Sequence, residues 1–299
     1  ISTARRELEM ESLFDIQNNI VEILKNKIKL STREARTEAR FILEHELKMK
    51  HAHLISNQLS LIKERKKNKI YKILEERIQY KPLAYIIGEW DFYGLNFFVS
   101  QETLIPRQDT ELLIDLILKK YSKNQEINIL DLGTGSGVIG ITLAKKMPKS
   151  NVLISDISSK ALKVAEKNIR NFKLKNIKAI QSNWFKNIPP IKFDVIISNP
   201  PYIDIKSPYL NKPELSYEPK IALISKENGL KDILSIIQES PNFLSKKGRV
   251  FIEHGFDQSS QVNSIFLNSN FTKVTQHKDL NKIIRVSSGE IKIDEESHH

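Results

Sequence analysis

The chain has 299 residues, 40% of them apolar and 28% charged, with 10 glycines and 11 prolines. That composition suits one large or two smaller globular domains with a proper core, and it excludes disorder, collagen and mucin-like stalks. No cysteine occurs, which removes disulfides, Cys-ligated zinc, iron–sulfur clusters and thiol nucleophiles, while a net charge of +11 would favour an acidic partner by long-range steering.

The opening Ile1 to Met10 has no apolar stretch and carries Glu7 and Glu9, so neither a secretory signal nor a transit peptide is expected. Ile1 is not an initiator, so the numbering begins inside a longer chain or at a processed end. His298 and His299 read as a tag remnant. From Asp15 to Tyr80 the apolar spacing is helical: Ile16, Ile20, Ile23 and Leu24, then Ala35, Ala39, Ile42 and Leu43 behind a Ser31/Glu34 capping box, then Ile70, Ile73, Leu74 and Ile78. A small helical bundle over residues 1–80 is expected. Its basic cluster Lys63 to Lys69 reads as a solvated helix face, because 36 of the 47 basic residues are Lys and an AT-rich coding sequence yields such an excess.

Lys81-Pro82 ends this stretch. Two short strands, Tyr85 to Phe92 and Asn96 to Ser100, fold at Tyr93-Gly94 into a hairpin linker over residues 81–105. After Ile105-Pro106-Arg107 the pattern alternates. Ile127 to Leu132, Asn151 to Asp156, Lys178 to Gln181, Phe193 to Ser198 and Arg249 to Glu253 are strands, with helices such as Lys160 to Asn171 and Leu230 to Glu239 between them. Right-handed βαβ crossovers and a mainly parallel α/β sheet follow over residues 106–290. Thr272 to His277 and Lys282 to Val286 lie too close for a helical crossover, so an antiparallel pair at one sheet edge is expected, before a tail at 291–299. The longest apolar run, Val138 to Ala144, is broken by Gly140 and Thr142 and falls short of the ~18 residues of a membrane span, so no membrane partner is expected.

The first strand of the α/β half runs into Asp131-Leu-Gly133-Thr134-Gly135-Ser136-Gly137 and then a helix. Three glycines let backbone amides approach a compact polar ligand at a helix N-terminus. Gly135 to Gly140 formally matches the dinucleotide fingerprint, but that fingerprint begins where the strand ends, and here the first glycine is Gly133. A carboxylate at Asp131 would repel a pyrophosphate, yet suits the cationic end of S-adenosylmethionine. Asp156, 25 residues on at the end of the next strand, can accept from both ribose hydroxyls, or cap the following helix. Past the third strand, Asn183 can hydrogen-bond adenine and Trp184 can stack on it, unless the Trp only closes the core.

The fourth strand ends in Asn199-Pro200-Pro201-Tyr202, 62 residues after Gly137. The topology puts this tip beside the glycine turn, at the carboxyl ends of parallel strands where ligands bind. The nitrogen of an amide or nucleobase amine is a poor nucleophile unless acceptors hold both its N–H bonds. The Asn199 side-chain oxygen and the Pro200 carbonyl supply two, Pro201 has no N–H to intrude, and Tyr202 offers a face for a flat group. No strong base is required, and positioning carries the rate. Asn199, Pro200 and Tyr202 are the catalytic candidates, and Asn199 also borders the cofactor.

The same tetrapeptide serves adenine-N6, guanine-N2 and glutamine methylases. Pro82 to Gly88, Phe92-Tyr93-Gly94, Leu104 to Glu111, Asn199 to Tyr202, Tyr217-Glu218-Pro219 and Glu253-His254-Gly255 closely resemble the HemK-type release factor glutamine N5-methyltransferases. The resemblance implies a seven-stranded class I methyltransferase (Rossmann-like) sheet, S-adenosylmethionine as methyl donor with S-adenosylhomocysteine as product, and the Gly-Gly-Gln loop of peptide chain release factors as substrate. It assigns Gly133 to Gly137, Asp156 and Trp184 to the cofactor, Asn199 to Tyr202 to the glutamine, and the N-terminal helices to gripping the release factor. A cytoplasmic monomer that does not bind nucleic acid directly is expected, with a nucleic-acid amino-methyltransferase as the alternative and a turnover-deficient ribosome-associated binding module further behind. Gln108 and Asn183 depart from the family's usual Pro and Asp. Arg107 either orders the site or forms a structural salt bridge. His254 is expected to pack or hydrogen-bond near its strand end, and no metal is expected.

Overall fold

The computed structural model describes residues 11–292, so the expectations at Ile1 to Met10 and from residue 293 onward lie outside the described residues. Two compact units make up the chain, one ending at Gly88 and the other beginning at Glu89.

The first unit is helical: α1 (Leu13–Ile28), α2 (Thr32–Leu47), α3 (His51–Ser56), α4 (Glu64–Arg77) and α5 (Leu83–Ile87). The three apolar stripes converge on one core in which Ile16, Ile20, Leu24, Ala39, Ile42 and Ile70 are fully buried. Ser31 Oγ accepts the Glu34 amide at 3.2 Å and the Glu34 carboxylate accepts the Ser31 amide at 2.9 Å. Such a cap stabilises a helix by about 1 kcal/mol. Lys63, Arg65 and Lys69 are exposed, and Lys67 bridges Glu11 and Glu64 at 3.2 and 3.0 Å, so the basic cluster is a solvated face.

One expected element is different. Tyr85 to Ile87 are not strand but the end of α5, which Pro82 opens and Gly88 closes in a left-handed conformation (φ +79°), its amide on the Ala84 carbonyl at 2.8 Å. A short apolar run fits helix or strand equally, and here Pro before it and Gly after it decide for a helical turn that packs Leu83 into the helical core. Only Glu89–Phe92 is strand β1. It pairs antiparallel with β2 (Leu95–Phe98) across a two-residue turn in which Tyr93 (φ +53°) and Gly94 (φ +69°) are both left-handed, the turn that matches the strands' own twist. The hairpin folds with the second unit: Phe97 is fully buried there, its ring 5.1 Å from that of Phe172.

The second unit continues with α6 (Glu111–Lys120), β3 (Asn128–Leu132), α7 (Val138–Lys146), β4 (Asn151–Asp156), α8 (Ser159–Asn171), β5 (Ile177–Gln181), β6 (Phe193–Ser198), the two-residue pair β7 (Ile203–Asp204) and β8 (Ile224–Ser225), α9 (Lys231–Glu239), β9 (Leu244–Glu253), α10 (Ser259–Asn268), β10 (Phe271–Lys278) and β11 (Ile284–Ile291). Its main sheet has seven strands in the order β10-β11-β9-β6-β3-β4-β5. The five strands from β9 to the β5 edge are parallel, β11 pairs antiparallel with β9, and β10 pairs antiparallel with β11. The last strand begins at Ile284 rather than Lys282, because the Asp279 carboxylate accepts the amides of Asn281 and Ile283 at 2.8 and 2.9 Å and holds those residues in the turn. Alternate residues of each strand serve two apolar layers: Ile129, Ile154 and Ile197 face α6 and α7, while Leu130, Leu132, Ile196 and Val250 face α9 and α10. The chain runs from β3 outward to β5 and then returns to β6 on the other side of β3. This reversal leaves a crevice at the carboxyl ends of β3 and β6.

Candidate active site

The glycine turn leaves β3 with Gly133, Gly135 and Gly137 all left-handed, at φ +69°, +56° and +88°. A side chain at Gly137 would put its Cβ 2.6 Å from Ile141, so the tight turn into α7 demands glycine there. Asp131 is fully buried behind this turn. Its Oδ2 accepts from the Thr134 hydroxyl at 2.5 Å and from the Gly140 amide at 3.0 Å. Gly140 is the third residue of α7, so Asp131 caps that helix from the neighbouring strand, a task that Gly137 at the N-cap has no side chain to perform. Its other oxygen, Oδ1, is buried without a hydrogen-bond partner. Burial raises the Asp131 carboxyl to about 7, against the lowering effect of its two hydrogen bonds.

Asp156, at the end of β4, accepts from the amides of Gly135 and Ser158 at 2.9 Å each. The first bond ties the acid to the glycine turn. Burial still holds its carboxyl above the usual range. The cap of α8 is Ser158, whose hydroxyl accepts the Ala161 amide at 3.2 Å. Trp184 lies over Gly133: a Cβ on that glycine would come within 3.3 Å of the indole ring. The indole N–H donates to Asp232 Oδ1 at 3.2 Å, and Asp232 Oδ2 accepts from the Ser225 hydroxyl at 2.5 Å. Asp232 therefore fixes the plane of the ring.

At the end of β6, Asn199 donates from Nδ2 to Thr110 Oγ1 at 3.0 Å, which leaves its Oδ1 as the acceptor. The Tyr202 hydroxyl donates to Glu253 Oε1 at 3.2 Å and its backbone oxygen accepts from Gln258 Nε2 at 2.9 Å. Burial raises Glu253 to about 7, the neighbouring Thr110 and Tyr202 hydroxyls pulling it back, while its Oε2 is buried without a hydrogen-bond partner; burial likewise raises Tyr202. Arg107 pairs with Glu218, whose second oxygen accepts the Ile105 amide at 3.1 Å, so this buried acid ties Arg107 and the segment before α6 to the stretch between β7 and β8. His254 is buried with Nδ1 on the Gly255 carbonyl and Nε2 on the Ser287 hydroxyl, each at 2.9 Å.

These pieces surround one cavity. Gly133, Thr134, Gly135, Ser136, Asp156, Asn183, Trp184, Asn199 and Pro201 line it, together with Arg107, Thr110, Pro219 and Asp232. Asp131 is buried behind the turn, and Gly137, Pro200 and Tyr202 adjoin wall residues along the chain. Tyr202 supports the loop through Glu253 and Gln258. Thr110, Glu218 and Glu253 sit inside sequence motifs that were legible without revealing their partners. Asp232, Ser225 and Gln258 carried no local signal. The turn, an acid on its amide, an indole and the Asn199 carboxamide around one cavity fit a nucleoside that bears a cationic tail, and a cation there would favour the ionised form of Asp131, whose Oδ1 is buried without a hydrogen-bond partner.

Comparison with known proteins agrees with this geometry. The Methyltransferase small domain model matches residues 107–210 and the PrmC N-terminal domain model matches residues 22–88. A methyltransferase structure from Pyrococcus furiosus aligns with a TM-score of 0.52 at 17% identity, covering 68% of this chain and 91% of its own. The fold is that of the class I methyltransferases. The release factor glutamine methyltransferase of Buchnera aphidicola subsp. Schizaphis graminum is 43% identical over 257 residues, covering 86% of this chain and 93% of its own length. The chain belongs to the release factor glutamine methyltransferase family. The bifunctional methyltransferase of Rickettsia bellii is 36% identical over 281 residues, and the chain spans 50% of its length.

Proposed function

We propose that the chain transfers a methyl group from S-adenosylmethionine to the side-chain amide nitrogen of the glutamine in the Gly-Gly-Gln loop of peptide chain release factors. The observation that carries this reading is the orientation of Asn199. One of its N–H bonds is taken by Thr110, which leaves the carboxamide oxygen of this cavity-lining residue as the acceptor for a substrate. An amide nitrogen shares its lone pair with the carbonyl and attacks only if its N–H bonds are drawn toward acceptors. Asn199 Oδ1 takes one. The carbonyl of Pro200, joined to the wall residue Pro201, takes the other. Bound S-adenosylmethionine supplies an electrophilic methyl on a sulfonium and leaves as the neutral thioether S-adenosylhomocysteine.

In this reading Gly135, Asp156, Asn183 and Trp184 hold the nucleoside, with the acid on the ribose and the indole against adenine. The nitrogen forms its bond to carbon, becomes cationic, and loses one proton to water. No buried base is needed. Holding the nitrogen in line can supply as much as ~7–11 kcal/mol. The helical unit serves recognition of the release factor.

Incubation with methyl-labelled S-adenosylmethionine and a release factor tests the reading by mass spectrometry. One added methyl on the glutamine of its loop is expected, and is lost with Asn199→Ala while the donor still binds. Label entering ribosomal RNA or DNA, and not the release factor, would overturn it.

A further inference from the structure

A carboxamide is nearly isosteric with its own flipped form, so Asn199 could present either an acceptor oxygen or a donor NH2 to the cavity. Only the first suits a substrate that itself offers N–H groups. The choice is made by its neighbour Thr110, whose hydroxyl oxygen lies 3.0 Å from Asn199 Nδ2 and which is 2% exposed. We propose that Thr110 is a positioning residue: acting as acceptor toward Asn199 Nδ2 and as donor toward Glu253, it locks the Asn199 oxygen toward the cavity.

A hydroxyl alone would not discriminate, since it can equally donate to Asn199 Oδ1. Its single proton must therefore be committed elsewhere. Glu253, fully buried at the end of β9, provides that commitment: as a carboxylate it can only accept, its Oε1 takes the Tyr202 hydroxyl at 3.2 Å, and its Oε2 is buried without a hydrogen-bond partner, an acceptor that draws the proton of the neighbouring Thr110 hydroxyl. The Asn199 NH2 then donates to Thr110, whose own proton is left for the Glu253 carboxylate, while the Tyr202 hydroxyl occupies the other Glu253 oxygen. Thr110 ends the turn Gln108–Thr110 just before α6, with its amide on the Arg107 carbonyl at 3.2 Å, so its backbone is held as well.

The same arrangement makes the lock depend on the charge of Glu253. Besides Thr110 and Tyr202, the groups that face it are Asp109 and Arg285, the first holding the proton on and the second drawing it off. A protonated Glu253 can donate to Thr110, which frees the Thr110 proton for Asn199 Oδ1 and permits the flipped carboxamide. The raised value of about 7 puts this exchange near neutrality.

The proposal rests on the methyl-transfer reading for its kinetic consequence but not for its spectroscopic one, and two measurements separate them. In 15N-labelled protein the side-chain NH2 of Asn199 is identified by its absence from Asn199→Asp. Its resonances should be sharp and slowly exchanging in the wild type and in Thr110→Ser, and averaged or shifted in Thr110→Val. In turnover, Thr110→Val should lower kcat by roughly 10- to 100-fold with a much smaller change in the donor's dissociation constant, and Thr110→Ser should restore most of it. Glu253→Gln should lower kcat and remove the fall in activity of the wild type as pH drops through about 7. Unaltered Asn199 resonances in Thr110→Val, or a Ser variant as impaired as the Val variant, would overturn the assignment. A wild type that gives the expected resonances but methylates no release factor would sink the substrate reading alone.

Discussion

Asn168 pairs with the backbone of Phe98 as a further strand would: its Oδ1 accepts the Phe98 amide at 2.8 Å and its Nδ2 donates to the Phe98 carbonyl at 3.0 Å. The same Nδ2 also donates to the Ser136 carbonyl at 2.8 Å, so one buried side chain on α8 holds both the hairpin and the glycine turn. Replacing it by Leu takes the side-chain partner from three backbone groups, the Ser136 carbonyl in a buried contact and the two Phe98 groups in partly buried ones. Unfolding in urea should show a loss of about 2–4 kcal/mol, and calorimetry should show weaker donor binding, because Ser136 lines the cavity.

Asp131 carries its own pH signature. Its folded-state value of about 7 lies above the ordinary 3.8, so the folded state keeps a proton that the unfolded chain releases in between. Stability contributed by this group is therefore present below about pH 4 and is lost as pH rises toward 7. Asp131→Asn does not ionise. The variant should gain stability relative to the wild type across that window, by at most about 4 kcal/mol, as read from thermal or urea unfolding at several pH values. A difference that stays flat across the window would refute the assigned burial. Since a cation bound nearby favours the carboxylate, donor binding near pH 7 should also release a fraction of a proton, measurable by calorimetry in buffers of different ionisation enthalpy.

Gly229 marks the most crowded point of the loop that braces Tyr202. It is left-handed at φ +83°, and a Cβ there would sit 2.1 Å from the Tyr202 carbonyl oxygen, which accepts from Gln258. Gly229→Ala should reduce methyl transfer by at least ~10-fold, because the loop carrying Asn199 must shift, while costing only about 1–3 kcal/mol in stability. Retention of full activity would mean that the brace does not transmit to the site.

Trp184 depends on Asp232 for its orientation. Asp232→Ala frees the indole N–H and also strips the Ser225 hydroxyl of its acceptor. Donor affinity should fall by roughly 10-fold, the scale of one stacking contact, with kcat at saturating donor changed far less. A fall in kcat with unchanged affinity would assign Asp232 to the substrate side instead.

Much of this protein was written locally. Helical stripes, the Ser31/Glu34 box, the Tyr93-Gly94 turn, the glycine run after a buried strand and Asn199 to Tyr202 after another depend on spacing and backbone preference, which neighbours along the chain determine. Apolar Tyr85 to Ile87 was ambiguous for the same reason: its period is too short to choose between helix and strand, and the flanking Pro82 and Gly88 decided. What the sequence could not disclose was which polar groups would find one another across the sheet. Asp131 reads as a ligand for a cation, yet the fold turns it inward to cap α7. Tyr202 reads as a stacking face, yet its hydroxyl reaches Glu253. Asp232, Gln258 and Thr110 acquire their roles from residues 48, 56 and 89 positions away. Hydrogen bonds of that range have no period and no composition. They exist only once the strands are in register, and burial then makes each of them costly to leave unmade.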